Sequence, residues 1–257
     1  MPEVPGELPD FPVPANDNRD DLELRLREAG PEELLALLRE RVDRLPAPAA
    51  RQALRNPHCS AEVVDLLADQ PRLLSFYEVR RDLALHPKTP EVLALRFVPG
   101  LFWRDLMTLG TDTRLRPTLR RAADLQLLAR LPEMAVGEKV ALARRAGPGI
   151  LSQLRNDPNP RVIGALLDNP RLTEGILAPM LASSAVPPPI LELIAGDRRW
   201  GVRYPLKVAL ARNPRTPLET VLRILAALRK PDLKAVASDP RLPEPVRLRA
   251  RLLLGEA

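Results

Sequence analysis

The sequence is poor in sulfur ligands, histidine and aromatic rings. Of 257 residues, one is cysteine, two are histidine, and aromatics make up 3%. A single cysteine excludes an internal disulfide framework and any cysteine-rich metal site. Only His58, Cys59 and His86 are soft ligands. A zinc site takes three or four protein ligands, and a catalytic Cys–His pair needs a third group to orient it. No metal, cofactor or catalytic residue is therefore expected. Glycine-rich phosphate loops, HExxH and GxSxG are missing too. Long apolar runs are also lacking. The longest uncharged stretch, Gly175–Leu191, contains Pro179, Pro187, Pro188 and Pro189, which no spanning helix would tolerate. Without a charged-then-apolar leader, the expected location is cytoplasmic, with no membrane insertion.

What is abundant is leucine, at 49 residues, and arginine, which outnumbers lysine 34 to 5. Leu, Ala, Arg and Glu favour helix, and the β-branched and aromatic strand formers are scarce. The class is all-α. Net charge is +6, unevenly spread: residues 1–20 carry −4, leaving +10 on the rest. A basic body suits an acidic protein partner or nucleic acid. Residues 1–19 hold five prolines and no helical period, so they read as a disordered acidic tail. Helical patterning then runs over residues 20–257. Leu34, Leu35, Leu38, Val42 and Leu45 form one apolar stripe at steps of three and four.

Two octets, LALHPKTP at 83–90 and LARNPRTP at 210–217, are nearly the same. A residue before proline is pushed out of the α region, so His86-Pro87 and Asn213-Pro214 each end a helix. Thr89 and Thr216 then fit as N-caps, Pro90 and Pro217 as first helical residues, and Glu219 as the partner in a capping box. Asn56-Pro57 with Ser60, and Asn169-Pro170 with Thr173, are looser versions. Hydrophobic–Arg pairs (Val79-Arg80, Leu115-Arg116, Val202-Arg203, Val246-Arg247) suggest a period near 40 residues and helices of roughly 10–15 residues. The expectation is an α-solenoid of about five or six helical pairs. Its rhythm is weakest at 99–155, an irregular repeat or a break between two arrays.

These elbows resemble the leucine-rich repeat variant and the wider HEAT-like class. DRRWGVR has the Asp197-to-Val202-Arg203 spacing of HEAT units, and that resemblance implies an Asp–Arg ladder between repeats. The stretches 136–147, 157–174, 197–218 and 231–243 are similar in wording to an uncharacterised bacterial helical-repeat family. The iron–sulfur domain of the prototype leucine-rich repeat variant protein does not carry over, because Cys59 stands alone.

The candidate anion- or partner-binding residues are Arg80, Arg81, Arg116, Arg120, Arg121, Arg144, Arg145, Arg198, Arg199 and Arg203. Their alternative use is in ion pairs that hold neighbouring repeats in register. Candidate apolar docking residues are Phe97, Phe102, Trp103, Trp200 and Tyr204, with packing between repeats as the other reading for the tryptophans. The expected function is a non-catalytic interaction or scaffold protein that holds an acidic protein partner on a basic face. The alternative is a nucleic-acid-binding HEAT-like protein, with a HEAT-like DNA glycosylase using Asp105 or Asp197 behind it.

Overall fold

The computed structural model describes residues 17–256, with side chains from Asp21 onward. The expected tail lies outside the described residues except for its last three positions, which open the first helix. Among the described residues all regular structure is helical, in two compact units. One ends at Leu101 and the other starts at Phe102, inside the stretch where the sequence rhythm is weakest.

The first unit holds α1 (Asp17–Glu28), α2 (Pro31–Arg41), α3 (Ala47–Arg55), α4 (Ala61–Ala68), α5 (Pro71–Leu74), α6 (Tyr77–Leu85) and α7 (Glu91–Phe97). The second holds α8 (Trp103–Thr111), α9 (Pro117–Arg130), α10 (Val136–Ala143), α11 (Pro148–Leu154), α12 (Pro160–Leu167) and α13 (Glu174–Leu181). It continues with α14 (Pro188–Gly196), α15 (Tyr204–Ala211), α16 (Leu218–Leu225), α17 (Lys230–Ser238) and α18 (Glu244–Leu254).

Thirty prolines are compatible with so much helix because most sit where a helix begins. Ten of these helices carry proline in the first two positions, where the missing N–H has no helical partner to lose. Proline also stops helices: Asn56 and His86, each before a proline, take extended backbone angles (φ −62°, ψ 132° and φ −80°, ψ 127°). With stops so dense, most helices span only seven to nine residues, shorter than expected.

Helices this short are held by their neighbours. In the first unit α3 packs on α1 and α6, and α2 on α4. In the second, α12 packs on α10 and α14, α13 on α11 and α15, and α16 on α18. The packed faces are leucine and alanine: Leu26, Leu38, Ala50, Leu67 and Leu83 in the first unit, Leu166, Leu177, Leu206 and Leu210 in the second, all fully buried. Each such leucine contributes about 1.5–3 kcal/mol relative to exposure.

The elbows carry a second device. Asn56, Asn169 and Asn213 are buried before their prolines. Each side-chain amide donates to two carbonyls that end a helix two elements upstream. Asn56 reaches Leu26 and Ala29 (2.9 Å each), Asn169 reaches Ala143 and Ala146 (2.8 and 3.2 Å), and Asn213 reaches Leu181 and Ser183 (2.7 and 3.0 Å). Each amide oxygen accepts the backbone N–H two residues on. One side chain thus closes its own turn and satisfies helix-end carbonyls of the preceding layer. These contacts span 23–32 positions.

The threonines act differently from expectation. Thr89 and Thr216 turn backwards, donating to Leu83 O and Leu210 O (2.6 and 2.7 Å), so they finish the preceding helix. Pro90 and Pro217 occupy the N-cap positions, and no side-chain cap forms at Glu219. Ser60 does cap α4, through Val63 N.

Candidate functional site

Basic residues follow the elbows at fixed spacing, two positions after the capping residue: Lys88, Arg114, Arg171, Arg199, Arg215 and Arg241. Part of their work is structural. Arg171 Nη1 donates to Arg145 O (3.0 Å), Arg199 Nη1 to Asn169 O (3.1 Å) and Lys88 Nζ to Cys59 O (2.5 Å), each reaching the elbow before its own. In the second unit these bonds, with those of Asn169, fasten three elbows side by side: residues 144–147, 168–173 and 197–203.

Six arginines stand on that edge: Arg144, Arg145, Arg171, Arg198, Arg199 and Arg203, all exposed. Arg144, Arg145 and Arg198 make no side-chain hydrogen bond or ion pair with any described residue, so their charge is free to act outward. The carboxylates nearby are committed or fewer. Asp197 accepts the N–H groups of Arg199 and Trp200 (2.8 Å each), and Glu174 pairs with Arg203 (2.5 Å). Asp168 is exposed beside Asn169. The edge is net positive.

The implied Asp197–Arg203 ladder is absent in that form: Asp197 closes its own turn, and Arg203 reaches back to Glu174 on α13. An Asp–Arg pair across neighbouring helices does occur in the first unit, where Arg51 on α3 bonds Asp82 on α6 (2.7 Å). Arg81 shares that carboxylate, and Arg80 donates to Leu74 O (2.8 Å). Arg116 caps α9 and Arg121 is exposed on it. Arg120 is half-buried, with a buried Nε that has no hydrogen-bond partner. The ten candidate arginines divide between the two units, Arg80 and Arg81 in the first and the others in the second. Five of them share the 144–203 edge.

The apolar candidates divide as well. Trp200, expected as a docking residue, is 1% exposed. Its Nε1 donates to Leu167 O (2.9 Å), and the guanidinium groups of Arg199 and Arg203 lie 4.5 and 4.9 Å from its ring centre. It fills the space between elbows and is not available to dock or stack. Tyr204 is half-buried, its hydroxyl donating to Asp232 and accepting Arg229 N (2.9 Å). Trp103 is half-buried and donates to Glu138 Oε1 (2.9 Å). Phe97 packs against the first unit's core, which leaves Phe102 as the exposed ring, at 63%.

The soft ligands do not gather into a centre. No group of three or more His, Cys, Asp or Glu among the described residues is placed to hold a metal. His58 is exposed. Cys59 is buried, and that burial pushes its thiol up to about 11, partly offset by Lys88. Burial, and then Lys88, hold His86 below its ordinary value. Among the described residues no helix is long and apolar enough to cross a membrane.

No family model matches the chain, and no curated protein or solved structure matches it either. The all-helical arrangement is compatible with a helical repeat. Sequence reasoning missed Arg171, although its place two residues after Asn169 repeats at Arg199 and Arg215 and gave the signal.

Proposed function

We propose that the helical units are HEAT-like α-solenoid arrays and that the protein is a non-catalytic, cytoplasmic interaction protein. It holds an acidic protein segment on the 144–203 edge. The observation that carries this reading is the exposed, uncommitted set Arg144, Arg145 and Arg198, set beside Arg171 and Arg199 on elbows that hydrogen bonds fix in register. Pre-positioned guanidinium groups bind carboxylates in a two-pronged way, and adjacent ones act together on a flexible acidic segment.

On the 144–203 edge the nucleic-acid alternative has little support for stacking, because Trp200 is buried and the Arg229 guanidinium lies over the half-buried Tyr204 ring, 4.7 Å from its centre. The glycosylase reading asks for a carboxylate beside an accessible tryptophan, and Asp197 and Trp200 are both engaged in the elbow.

The test is fluorescence anisotropy with labelled polyglutamate and, separately, labelled single-stranded DNA. It compares the intact chain with Arg144→Glu/Arg145→Glu/Arg198→Glu at about 50 and 200 mM salt. Polyglutamate binding reduced roughly tenfold or more, about 1.4 kcal/mol, in the triple variant supports the edge. Equal binding by the variant rejects it. Tight DNA binding with a steep salt slope would move the reading to nucleic acid.

A further inference from the structure

Helices α12 to α15 each run between a turn on the arginine edge and a turn at their other end, so the second unit has an opposite edge. It is made of residues 155–161, 182–187 and 212–217. The middle stretch lies between the other two. Asn213 ties it to the third through Leu181 O and Ser183 O, and a cavity opens on each side of it. One cavity, of about 140 Å³, is lined by Pro158, Met180, Val186 and Ile190, with Arg155. The other, of about 520 Å³, is lined by Leu181, Pro205, Val208 and Ala209, with Arg212 and Arg241.

Charge is sorted along this edge. Residues 182–187, ASSAVP, carry none, whereas the flanking stretches carry Arg155, Arg161, Arg212 and Arg215 against one carboxylate, Asp157. That carboxylate is spent on Lys139 (3.1 Å). Arg155 donates to Ile176 O (3.0 Å), and Arg212 helps to hold the Asp239 carboxylate in its charged form. Arg161 and Arg215 are exposed and make no side-chain hydrogen bond or ion pair with a described residue. The edge therefore offers two apolar cavities at an uncharged centre and a free cation at each end.

Packed helices lie about 8–10 Å apart, which sets the cavities one such step apart and the basic ends two, roughly 16–20 Å. A polyproline II strand rises about 3.1 Å per residue with three residues per turn. Side chains three positions apart then point the same way about 9 Å apart, and five or six residues span the ends. Proline between the apolar residues preorganises that backbone and removes N–H groups that the cavities would leave unpaired. A nucleic acid would bring phosphates but no apolar side chain for either cavity.

We propose that this edge binds an extended segment of a partner protein in which two apolar residues, one for each cavity, are flanked by carboxylates that meet Arg161 and Arg215. The edge shares no residue with the arginine edge, and the two stand or fail separately.

The experiment is fluorescence anisotropy of the full-length chain with a labelled hexapeptide, Glu-Leu-Pro-Pro-Leu-Glu, in about 0.15 M salt, where the Debye length is about 8 Å. That is shorter than the roughly 12 Å that an eight-residue helix such as α12 or α13 puts between the two edges. Saturable binding is expected, weakened roughly tenfold or more when serine replaces both leucines or glutamine both glutamates, changes that leave the protein untouched. Arg161→Glu/Arg215→Glu should weaken it as much. So should Ala185→Leu/Ala209→Leu, which fills both cavities without altering charge. Arg144→Glu/Arg145→Glu/Arg198→Glu should leave it within about twofold, because those charges are screened at that distance. A lack of saturable binding overturns the proposal. So does binding that survives either double variant, or binding that the triple variant abolishes, since that binding belongs to the other edge.

Discussion

Single side chains do the joining in this fold, and asparagine does it most economically. Asn213 makes three hydrogen bonds from a buried position, two of them to Leu181 O and Ser183 O in the preceding layer. Asn213→Ala strands those carbonyls, and about 2–3 kcal/mol of unfolding free energy should be lost in a urea titration. Asn213→Asp should be worse than alanine, because a carboxylate would then face two carbonyl oxygens. An aspartate at or above the alanine value would mean that the amide is not donating there. Asp239 shows the opposite use of the same turn. Its carboxylate is held at about 2, first by the Arg241 side chain, with burial opposing and further hydrogen-bond and charge contributions from Arg241 and Arg212. A depressed carboxylate adds stability above its unfolded value of about 3.9 and loses it as pH falls toward about 2. Acid unfolding of Asp239→Asn should therefore be flatter than wild type between about pH 4 and about pH 2. Equal slopes would mean that the Arg241 pair does not form in solution.

At the scale of the element, the helices were legible and their joints were half legible. X-Pro pairs and leucine steps are local signals, so the stops at Asn56, His86, Asn169 and Asn213 were visible in the sequence. What Asn169 bonds lies 23 and 26 positions upstream, and no local pattern reports that. Thr216 was misplaced because a threonine between two helices can turn to either one, and here its hydroxyl joins the Asn213 N–H on the Leu210 carbonyl that ends the preceding helix. The arginine edge was visible as Arg doublets, but which of them were spent on elbow carbonyls was not. The 197–203 elbow tests how tightly these joints are built. A Cβ on Gly201 would meet Ala195 O at 2.3 Å and Asp197 O at 2.8 Å, both backbone atoms with little room to move. Gly201→Ala should open the elbow, expose Trp200 and lower stability. Gly196→Ala, with nothing within 4 Å of the added atom, should be neutral or gain about 0.5–1 kcal/mol. Tryptophan emission separates them: a red shift for Gly201→Ala and none for Gly196→Ala. Emission unchanged in both would show that the elbow has slack.

At the scale of the whole chain, stability is divided because packing is divided. Each unit buries its own leucines between helices close in sequence, so each short helix draws its stability from near neighbours in its own unit. One cooperative transition is therefore not the expectation. The tryptophans supply a probe, since Trp103 and Trp200 both belong to the second unit. Fluorescence then follows that unit alone, whereas circular dichroism at 222 nm follows helices in both. Leu83 in the first unit and Leu210 in the second are each 0% exposed, so truncating either to alanine should cost about 2–5 kcal/mol locally. Leu83→Ala should shift part of the dichroism transition to lower urea and leave the fluorescence midpoint in place. Leu210→Ala should move the fluorescence midpoint. If Leu83→Ala moved both signals together, the units would be unfolding as one body, and the ends of the helices would be coupled across the Leu101–Phe102 boundary as firmly as within each core.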